Sequence, residues 1–202
     1  VSSAEVSRAT AALDEQLKQW RERPLGEFRY LMLDEIYCKV REGGVVRDAA
    51  CLIAIGIAGD GAREILGTAL ELGEQETCWR SFMKSLQERG LHGLVLVVSD
   101  DHAGLKAARK TVFPSVPWQR CQFHLQQNAQ SYVPKDDLKP VVAADIRAIF
   151  NAPSLEEAER LLGITQKKYE KTAPRLAAWL EENIREGLTV FNLPAAHRKR
   201  LR

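Results

Sequence analysis

The sequence lacks several features that would place a protein directly in a class. No apolar run is long enough to cross a bilayer, and the first residues do not have the pattern of a signal peptide. The four cysteines have no paired spacing, which argues against a disulfide framework and is typical of a reducing compartment. The formal charge of +2 is too small to indicate nucleic-acid binding by itself. We therefore expect a cytoplasmic globular protein whose function depends on local motifs.

The N-terminal half of the chain combines helical and strand patterns. Apolar residues at helical spacing predict a helix over 2–23, which Pro24 ends. Two long strand patterns follow and meet at Gly43 and Gly44, a pair that supplies the positive φ of a tight hairpin. A third strand pattern follows Gly61. A helix with a stripe of apolar residues is predicted next, at Trp79, Phe82, Met83 and Leu86.

The second half begins with a buried strand and then becomes helical. The segment LHGLVLVVSD, 91–100, is nearly all apolar, which is typical of a strand covered by helices on both faces. A helix over 102–112, a short strand within 113–124 and a helix over 125–131 follow. Helical patterns dominate from Lys135 to Glu186, and LTVFNLP, 188–194, reads as extended. This order predicts an α/β fold, a mixed sheet flanked by helices, with an all-helical insertion.

Asp34 is the first candidate functional residue. Strict alternation along its strand places it on one face with Phe28, Tyr30, Met32, Ile36, Cys38 and Val40, while Glu35 falls on the other face. A carboxylate on an otherwise apolar face costs roughly several kcal/mol unless a positive group meets it. A metal ion would remove most of that cost, and so would a buried arginine or a position at an open sheet edge.

Asp100 is the second candidate, because it closes the most apolar strand of the chain. Ligands of open α/β sheets gather at the carboxyl ends of strands, so Asp34 and Asp100 can converge if their strands are neighbours. Two carboxylates with open positions suit Mg²⁺ or Mn²⁺, as in two-metal phosphoryl transfer. Asp101 precedes a predicted helix and is placed to cap it, with Ser99 as a competitor. The reverse assignment, Asp101 as the ligand and Asp100 as the cap, is the alternative.

Several blocks of the sequence together resemble the bacterial insertion-sequence transposases of the Mutator family. The blocks are LDEIYCKVR, AIGIAGDGAREILG, the W-R-S-F of Trp79 to Phe82, RGLHGLVLVVSDDHAGLKAA and FPSVPWQRCQFHLQQN. The resemblance implies an RNase H-like, retroviral-integrase-like fold and an Asp-Asp-Glu triad that uses divalent metal to cut and join DNA. Asp34 matches the first family aspartate and Asp100 the second. Glu35 and Asp101 stand where the family usually has small residues.

The resemblance also implies a domain organisation. It assigns 1–24 to the remnant of a DNA-binding region, 25–134 to the catalytic core, 135–187 to a helical insertion and 188–202 to a return segment. The third carboxylate is expected just past Arg202, since the block PAAHRKRLR precedes it in the family. We therefore expect the 202 residues to catalyse poorly or not at all by themselves.

The remaining motifs are weaker. Cys121 and His124 match a family Cys-x-x-His motif, and we favour a structural role over zinc because no second ligand pair has suitable spacing. The C-terminal basic run is expected to contact DNA phosphates; it consists of Arg198, Lys199, Arg200 and Arg202. Trp118 is a candidate to stack on an unpaired base, although core packing is favoured for it and for Trp179.

The resulting hypothesis is a catalytic-core fragment of a DNA transposase. Its partners are expected to be the transposon ends, the target DNA and further copies of the chain, in a nucleoid-associated bacterial setting. One alternative is an RNase H-like nuclease of another type. The other is a non-catalytic DNA-binding or assembly module.

Overall fold

The computed structural model describes residues 2–72 and 75–201 and has a mixed α/β architecture. Its helices and strands, in chain order, are α1 (Ser3–Glu22), β1 (Tyr30–Glu42), β2 (Val45–Ile57), β3 (Arg63–Glu71), α2 (Glu76–Glu88), β4 (Leu96–Ser99), α3 (Ala103–Val112), β5 (Trp118–Arg120), α4 (Gln122–Ala129), α5 (Lys139–Phe150), α6 (Leu155–Tyr169), α7 (Pro174–Asn183) and α8 (Ala195–Arg198). These elements form two compact units, one from 2–95 and 102–115 and the other from 96–101 and 116–201. Among the described helices, none has the length and apolar character that crossing a membrane requires.

The first unit is built on the predicted hairpin. β1 and β2 pair antiparallel from Tyr30–Ile57 to Glu42–Val45, and β3 pairs antiparallel with β2. Gly43 and Gly44 form the two-residue turn with φ of 55° and 80°, which side chains with a Cβ rarely adopt. The hairpin and the third strand are therefore confirmed.

Helices of the first unit cover this antiparallel sheet. The predicted stripe of α2 is buried, with Trp79, Met83 and Leu86 fully inaccessible. A Cβ at Gly67 of β3 would lie 3.4 Å from both Phe82 and Leu86, so the missing side chain lets α2 approach the strand closely. The helix α1 begins at a capping box of Ser2 and Glu5 and carries no buried residue.

The second unit contains a short parallel pair and most of the helices. β4 and β5 pair from Val97–Trp118 to Ser99–Arg120, and every residue of β4 is buried. Parallel strands end at one edge, so the residues after Ser99 and Arg120 lie at the same end of the pair. β4 is shorter than the ten residues predicted, because the backbone before Leu96 makes only isolated bridges and loop hydrogen bonds.

Helices α5, α6 and α7 confirm the helical character predicted after Lys135. Their core consists of fully or almost fully buried apolar residues, among them Ile146, Ile149, Leu162, Leu176 and Leu180. Tyr169 Oη donates a 2.6 Å hydrogen bond to Asp145 Oδ2 and so joins α6 to α5. Burial, and secondarily this bond to a carboxylate, raise the pKa of Tyr169 above its usual value. Trp179 is buried and stacks on Tyr132, as its predicted core role requires.

One predicted element is wrong. The segment 188–194 is not extended but contains a 3₁₀ turn over Thr189–Asn192. Its polar groups bind the side and main chain of β5 instead of a neighbouring strand: Val190 N donates to Gln119 Oε1 at 2.6 Å, and Thr189 Oγ1 donates to Trp118 O at 3.0 Å. The apolar alternation of this segment therefore reflects packing and not strand pairing.

Candidate active site

Asp34 lies in the middle of β1, opposite Ile53 of β2, and its side chain is exposed. On the strand face that carries Asp34, the last buried residue is Tyr30. Leu31 and Leu33 are also buried, but they lie on the opposite face of the strand. Exposure to water therefore removes most of the desolvation cost of Asp34, and its predicted role as a metal ligand stays a prediction. Its Oδ1 accepts a 3.0 Å hydrogen bond from the backbone N–H of Glu35.

Asp100 follows directly on the buried strand β4, as predicted. Ser99 is 1% exposed, whereas the side chain of Asp100 keeps 29% of its surface. Its Oδ1 is nevertheless buried and makes no hydrogen bond to the residues that the structure describes. A buried carboxylate oxygen without a donor is costly, so this atom requires a positive group nearby.

Arg120 supplies that positive group. It ends β5, pairs in register with Ser99 and is 5% exposed. Its Nε lies 3.8 Å from Asp100 Oδ1, which is an ion-pair distance but too long for a hydrogen bond. Its Nη1 lies 3.2 Å from Asp101 Oδ2, 3.3 Å from Glu186 Oε2 and 2.9 Å from Asn183 Oδ1. One buried guanidinium thus faces three carboxylates.

Arg120 makes different contacts with the two adjacent aspartates. Asp101 is the closer ion-pair partner of Arg120, and the N-cap residue of α3 is His102, which makes no side-chain capping bond. The predicted role of Asp101 as the cap is therefore wrong. Asp101 is committed to Arg120, while Asp100 retains an oxygen without a hydrogen bond. The geometry favours Asp100 over Asp101 as the ligand of a cation.

Two buried glutamines beside Arg120 form hydrogen bonds with the segment that carries Glu186. Gln119 is fully buried, and Gln122 donates from Nε2 to the carbonyl of Gly187 at 2.8 Å. Gly187 itself leaves no room for a side chain, since a Cβ there would lie 2.7 Å from Leu125. The segment 119–122 is thereby fastened to 183–190, which places Glu186 beside Arg120.

Cys121 and His124 flank the start of α4. The backbone N–H of Cys121 donates to Ser99 O at 2.7 Å, continuing the β4–β5 ladder, and Cys121 then serves as the N-cap residue of α4. No group of three or more histidine, cysteine, aspartate or glutamate side chains arranged to hold a metal occurs within residues 2–72 and 75–201. The structural role predicted for this pair stays a prediction, and the contact of Cys121 with Ser99 agrees with it.

The basic run is not uniform. Arg198 donates to the carbonyls of Leu193, Pro153 and Phe191 at 3.0, 3.0 and 3.3 Å, and its guanidinium lies over the Phe191 ring. These donors fasten the segment before α8 to the residue before Ser154, and the predicted phosphate contact of Arg198 stays a prediction. Lys199 and Arg200 are exposed. Arg202 lies outside the described residues.

Sequence reasoning missed Arg120 and Glu186. The signal for Arg120 was a charged residue in a short strand next to a buried one, which costs several kcal/mol unless carboxylates meet it. Glu186 had no local signal, because it is one of several glutamates on helical segments and only the fold brings it to Arg120.

The comparisons with known proteins agree on a family. The family model described as "Transposase, Mutator family" matches residues 1–202. The chain is 57% identical over 202 residues to the transposase for insertion sequence element IS406 of Burkholderia multivorans, covering 100% of this chain and 52% of that protein. It is 43% identical over 205 residues to the transposase for ISRM5 of Rhizobium meliloti, covering 100% and 50%. It is 40% identical over 190 residues to the transposase for IS256 in transposon Tn4001 of Staphylococcus aureus, covering 90% and 48%.

The likeness to solved structures is weak. The HTLV-2 integrase catalytic core domain in complex with magnesium aligns with a TM-score of 0.30 and 8% identity, covering 65% of this chain and 90% of that one. A TM-score this low carries no argument about the fold or the chemistry. The chain spans about half the length of the curated relatives named above. Because the family model matches its whole length, the chain belongs to the Mutator family of transposases.

Proposed function

We propose that the chain is the catalytic-core segment of a DNA transposase with an RNase H-like fold. The reaction is metal-dependent phosphoryl transfer, in which water or a terminal 3′-hydroxyl attacks a DNA phosphate. The observation that carries the proposal is Asp100, placed at the end of a buried strand with one buried oxygen that has no hydrogen-bond donor. Membership of a transposase family supports the same chemistry.

The metal ligands of this proposal are Asp34 and Asp100. Mg²⁺ and Mn²⁺ prefer oxygen ligands and are bound through one or two carboxylates together with waters and phosphates, so a dedicated cage of protein side chains is not required. Asp100 fits such an ion because its Oδ1 has only a long ion pair with Arg120 and no hydrogen bond, and Asp34 fits because its carboxylate is exposed. When bound, divalent ions stabilise charge on the attacking and leaving oxygens of the phosphoryl group.

Arg120 acts as a positioning residue in this proposal. Its charge is shared by Asp101 and Glu186, which lie within 3.3 Å of Nη1, while Asp100 lies farther away at 3.8 Å. The guanidinium therefore prevents Asp101 from repelling Asp100 and leaves Asp100 available. It also orients the end of β4, since Arg120 is itself held by Asn183.

The rest of the organisation is proposed from the family resemblance. Residues 1–24 derive from a DNA-binding region, 25–134 form the core, 135–187 the helical insertion and 188–202 the return segment. A third carboxylate is expected past Arg202, so the 202 residues alone should catalyse strand transfer poorly. DNA ends and target DNA are the proposed substrates. The proposed phosphate contacts are Arg198, Lys199, Arg200 and Arg202. The proposed state is a cytoplasmic, nucleoid-associated homo-oligomer.

Titration with Mn²⁺ tests the proposed metal site directly. We expect saturable binding, measured by calorimetry, that weakens at least about tenfold in Asp34→Asn and in Asp100→Asn. Asp48→Asn is the matched control, because Asp48 is an exposed carboxylate on the neighbouring strand β2 with 77% of its side chain exposed. Bound Mn²⁺ at 100 times its Kd should also stabilise the wild-type fold by about 2.7 kcal/mol.

Two results would count against the proposal. Mn²⁺ binding that is equal in all three variants would favour the assembly-module alternative. Efficient strand transfer by the isolated 202 residues would contradict the expected need for a further carboxylate. A chain extended past Arg202 separates a transposase from another nuclease by whether it joins DNA strands or only cuts them.

A further inference from the structure

A cavity of about 290 Å³ lies within the second unit, between α4 and α5. Six residues line it: Gln122, Phe123, Gln126, Arg147, Phe150 and Asn151. Its volume is close to the lower end of the roughly 300–1,000 Å³ that is typical of small-molecule pockets. The lining combines two aromatic rings, three side-chain amides and one cation, and none of these residues takes part in the proposed metal site.

Phe123 is the first unusual feature of this cavity. It is 64% exposed on the first turn of α4, although an aromatic ring of this size normally contributes to a core. Its ring lies 5.4 Å from that of His124 between centroids, in a T-shaped arrangement. An exposed aromatic ring that lines a cavity is suited to stacking on a flat ligand.

Gln122 also lines this cavity, and its side chain holds the start of α4 in place. It is 3% exposed, and its Nε2 is bound to Gly187 O, so the side chain is fixed. Its Oε1 is buried and has no hydrogen-bond partner within the described residues. A buried amide oxygen of this kind costs about 1–3 kcal/mol unless a donor reaches it.

Arg147 supplies a cation at the same cavity. It is exposed on α5, and the described part of the chain holds no ion pair that involves it. A guanidinium that is not neutralised by a protein carboxylate attracts a phosphate or another anion. The ligand should therefore be flat, carry hydrogen-bonding edges and be joined to a negative charge.

We propose that this cavity binds one unpaired nucleobase of DNA. The base stacks on Phe123, its polar edge meets the amides of Gln126 and Asn151, and Arg147 neutralises the adjoining phosphate. Sequence-tolerant stacking of this kind is general in single-strand recognition. The inference depends on DNA being the substrate of the proposed function, but it requires neither metal nor catalysis.

The cavity also accounts for the base-stacking role that the sequence suggested for Trp118. The indole of Trp118 is half-buried and donates from Nε1 to Ser99 Oγ at 2.9 Å, so it belongs to the β4–β5 pair. Phe123, five residues later, has the exposed ring that stacking needs.

The test measures binding of fluorescein-labelled oligo(dT) by anisotropy, in EDTA and at fixed salt. We expect the wild-type chain to bind single-stranded oligo(dT) more tightly than a duplex of the same length. Phe123→Ala should weaken single-strand binding about fivefold to a hundredfold, the usual effect of removing one stacking ring. Phe123→Trp should retain the affinity. Arg147→Gln should weaken binding and make it less sensitive to salt.

Matched controls are available for both side chains. Tyr37 is the other strongly exposed aromatic of the described residues, at 67%, so Tyr37→Ala should leave single-strand binding unchanged. Arg175 is an exposed arginine on α7, and Arg175→Gln removes the same charge elsewhere. Because Phe123 is exposed, Phe123→Ala should unfold at the wild-type temperature, which excludes misfolding as the cause of weaker binding.

The results separate this inference from the proposed function. Equal loss of single-strand and duplex binding in Phe123→Ala, or no loss at all, would overturn the base site. So would a wild-type chain that does not bind the single strand. Asp100→Asn should bind single strands normally, so a failed metal site and a failed base site are independent findings.

Discussion

The two units bury different kinds of side chain. In the first unit the buried residues are almost all apolar, as in the packing of Leu52, Leu66, Trp79 and Met83 between the antiparallel sheet and α2. In the second unit five polar or charged side chains are buried: Ser99, Gln119, Arg120, Gln122 and Thr165. Four of these five lie next to Asp100 in the sequence or in the adjoining strand and helix.

The buried polar side chains of the second unit lower stability relative to apolar packing, but they fix the positions of their neighbours more closely. Apolar packing is insensitive to small rotations, whereas a hydrogen-bonded side chain is held at a definite distance and angle. A carboxylate that must meet a metal ion and a phosphate needs the second kind of support. The polar network of the second unit is therefore expected to serve the site, and the apolar core of the first unit to serve the fold.

The largest expected loss of stability is in the apolar core of the first unit. Leu52→Ala should lower the free energy of unfolding by about 2–5 kcal/mol, because Leu52 is fully buried and its removal leaves a cavity. Urea denaturation measures the change. Leu70→Ala, at a position that is 56% exposed, should change stability by less than about 0.5 kcal/mol. Similar losses at both positions would contradict an apolar core centred on β2.

The next effect concerns Arg120. Arg120→Met should lower the free energy of unfolding by about 2–4 kcal/mol, because Asp101, Glu186 and Asn183 lose their common partner. The loss is limited because each of the two carboxylates keeps a third of its surface in water. Arg160→Met removes an arginine that is 59% exposed and paired with Glu157, and it should cost at most about 1 kcal/mol. Equal losses in the free energy of unfolding for the two substitutions would show that burial does not strengthen the ion pairs of Arg120.

The smallest effect is expected at Gln119. Gln119→Leu should cost about 1–3 kcal/mol, because the buried N–H of Val190 loses its 2.6 Å acceptor. Gln127→Leu, at an exposed position on α4, is the control and should be nearly neutral. Hydrogen exchange of the Val190 amide provides a second readout, and it should speed up in Gln119→Leu. An unchanged exchange rate would exclude Gln119 as the anchor of this turn.

Elements with a strong local signal were predicted well. The hairpin followed from two glycines between two strand patterns, and α2 from an apolar stripe at helical spacing, because both features arise from short-range geometry. The end of β4 before Asp100 followed from the contrast between an apolar run and an aspartate. Local periodicity was sufficient in each of these cases.

Predictions that needed distant residues were less successful. Asp34 was expected on a buried face, but alternation alone cannot say how far along a thirteen-residue strand the core extends. The run at 188–194 was read as extended because its apolar pattern does not reveal that Gln119 binds its backbone. A basic run also does not show that Arg198 binds nearby carbonyls.

The sequence by itself determined the order of helices and strands, the family of the chain and the two aspartates proposed to bind metal, because motifs and periodicity are local properties. Only the tertiary structure decided that Asp101 pairs with Arg120, that Glu186 joins the same guanidinium and that Phe123 stands exposed beside the cavity between α4 and α5. Those facts depend on contacts between residues up to 66 positions apart, as between Arg120 and Glu186. Such contacts form only when packing has brought the segments together, so no local pattern encodes them.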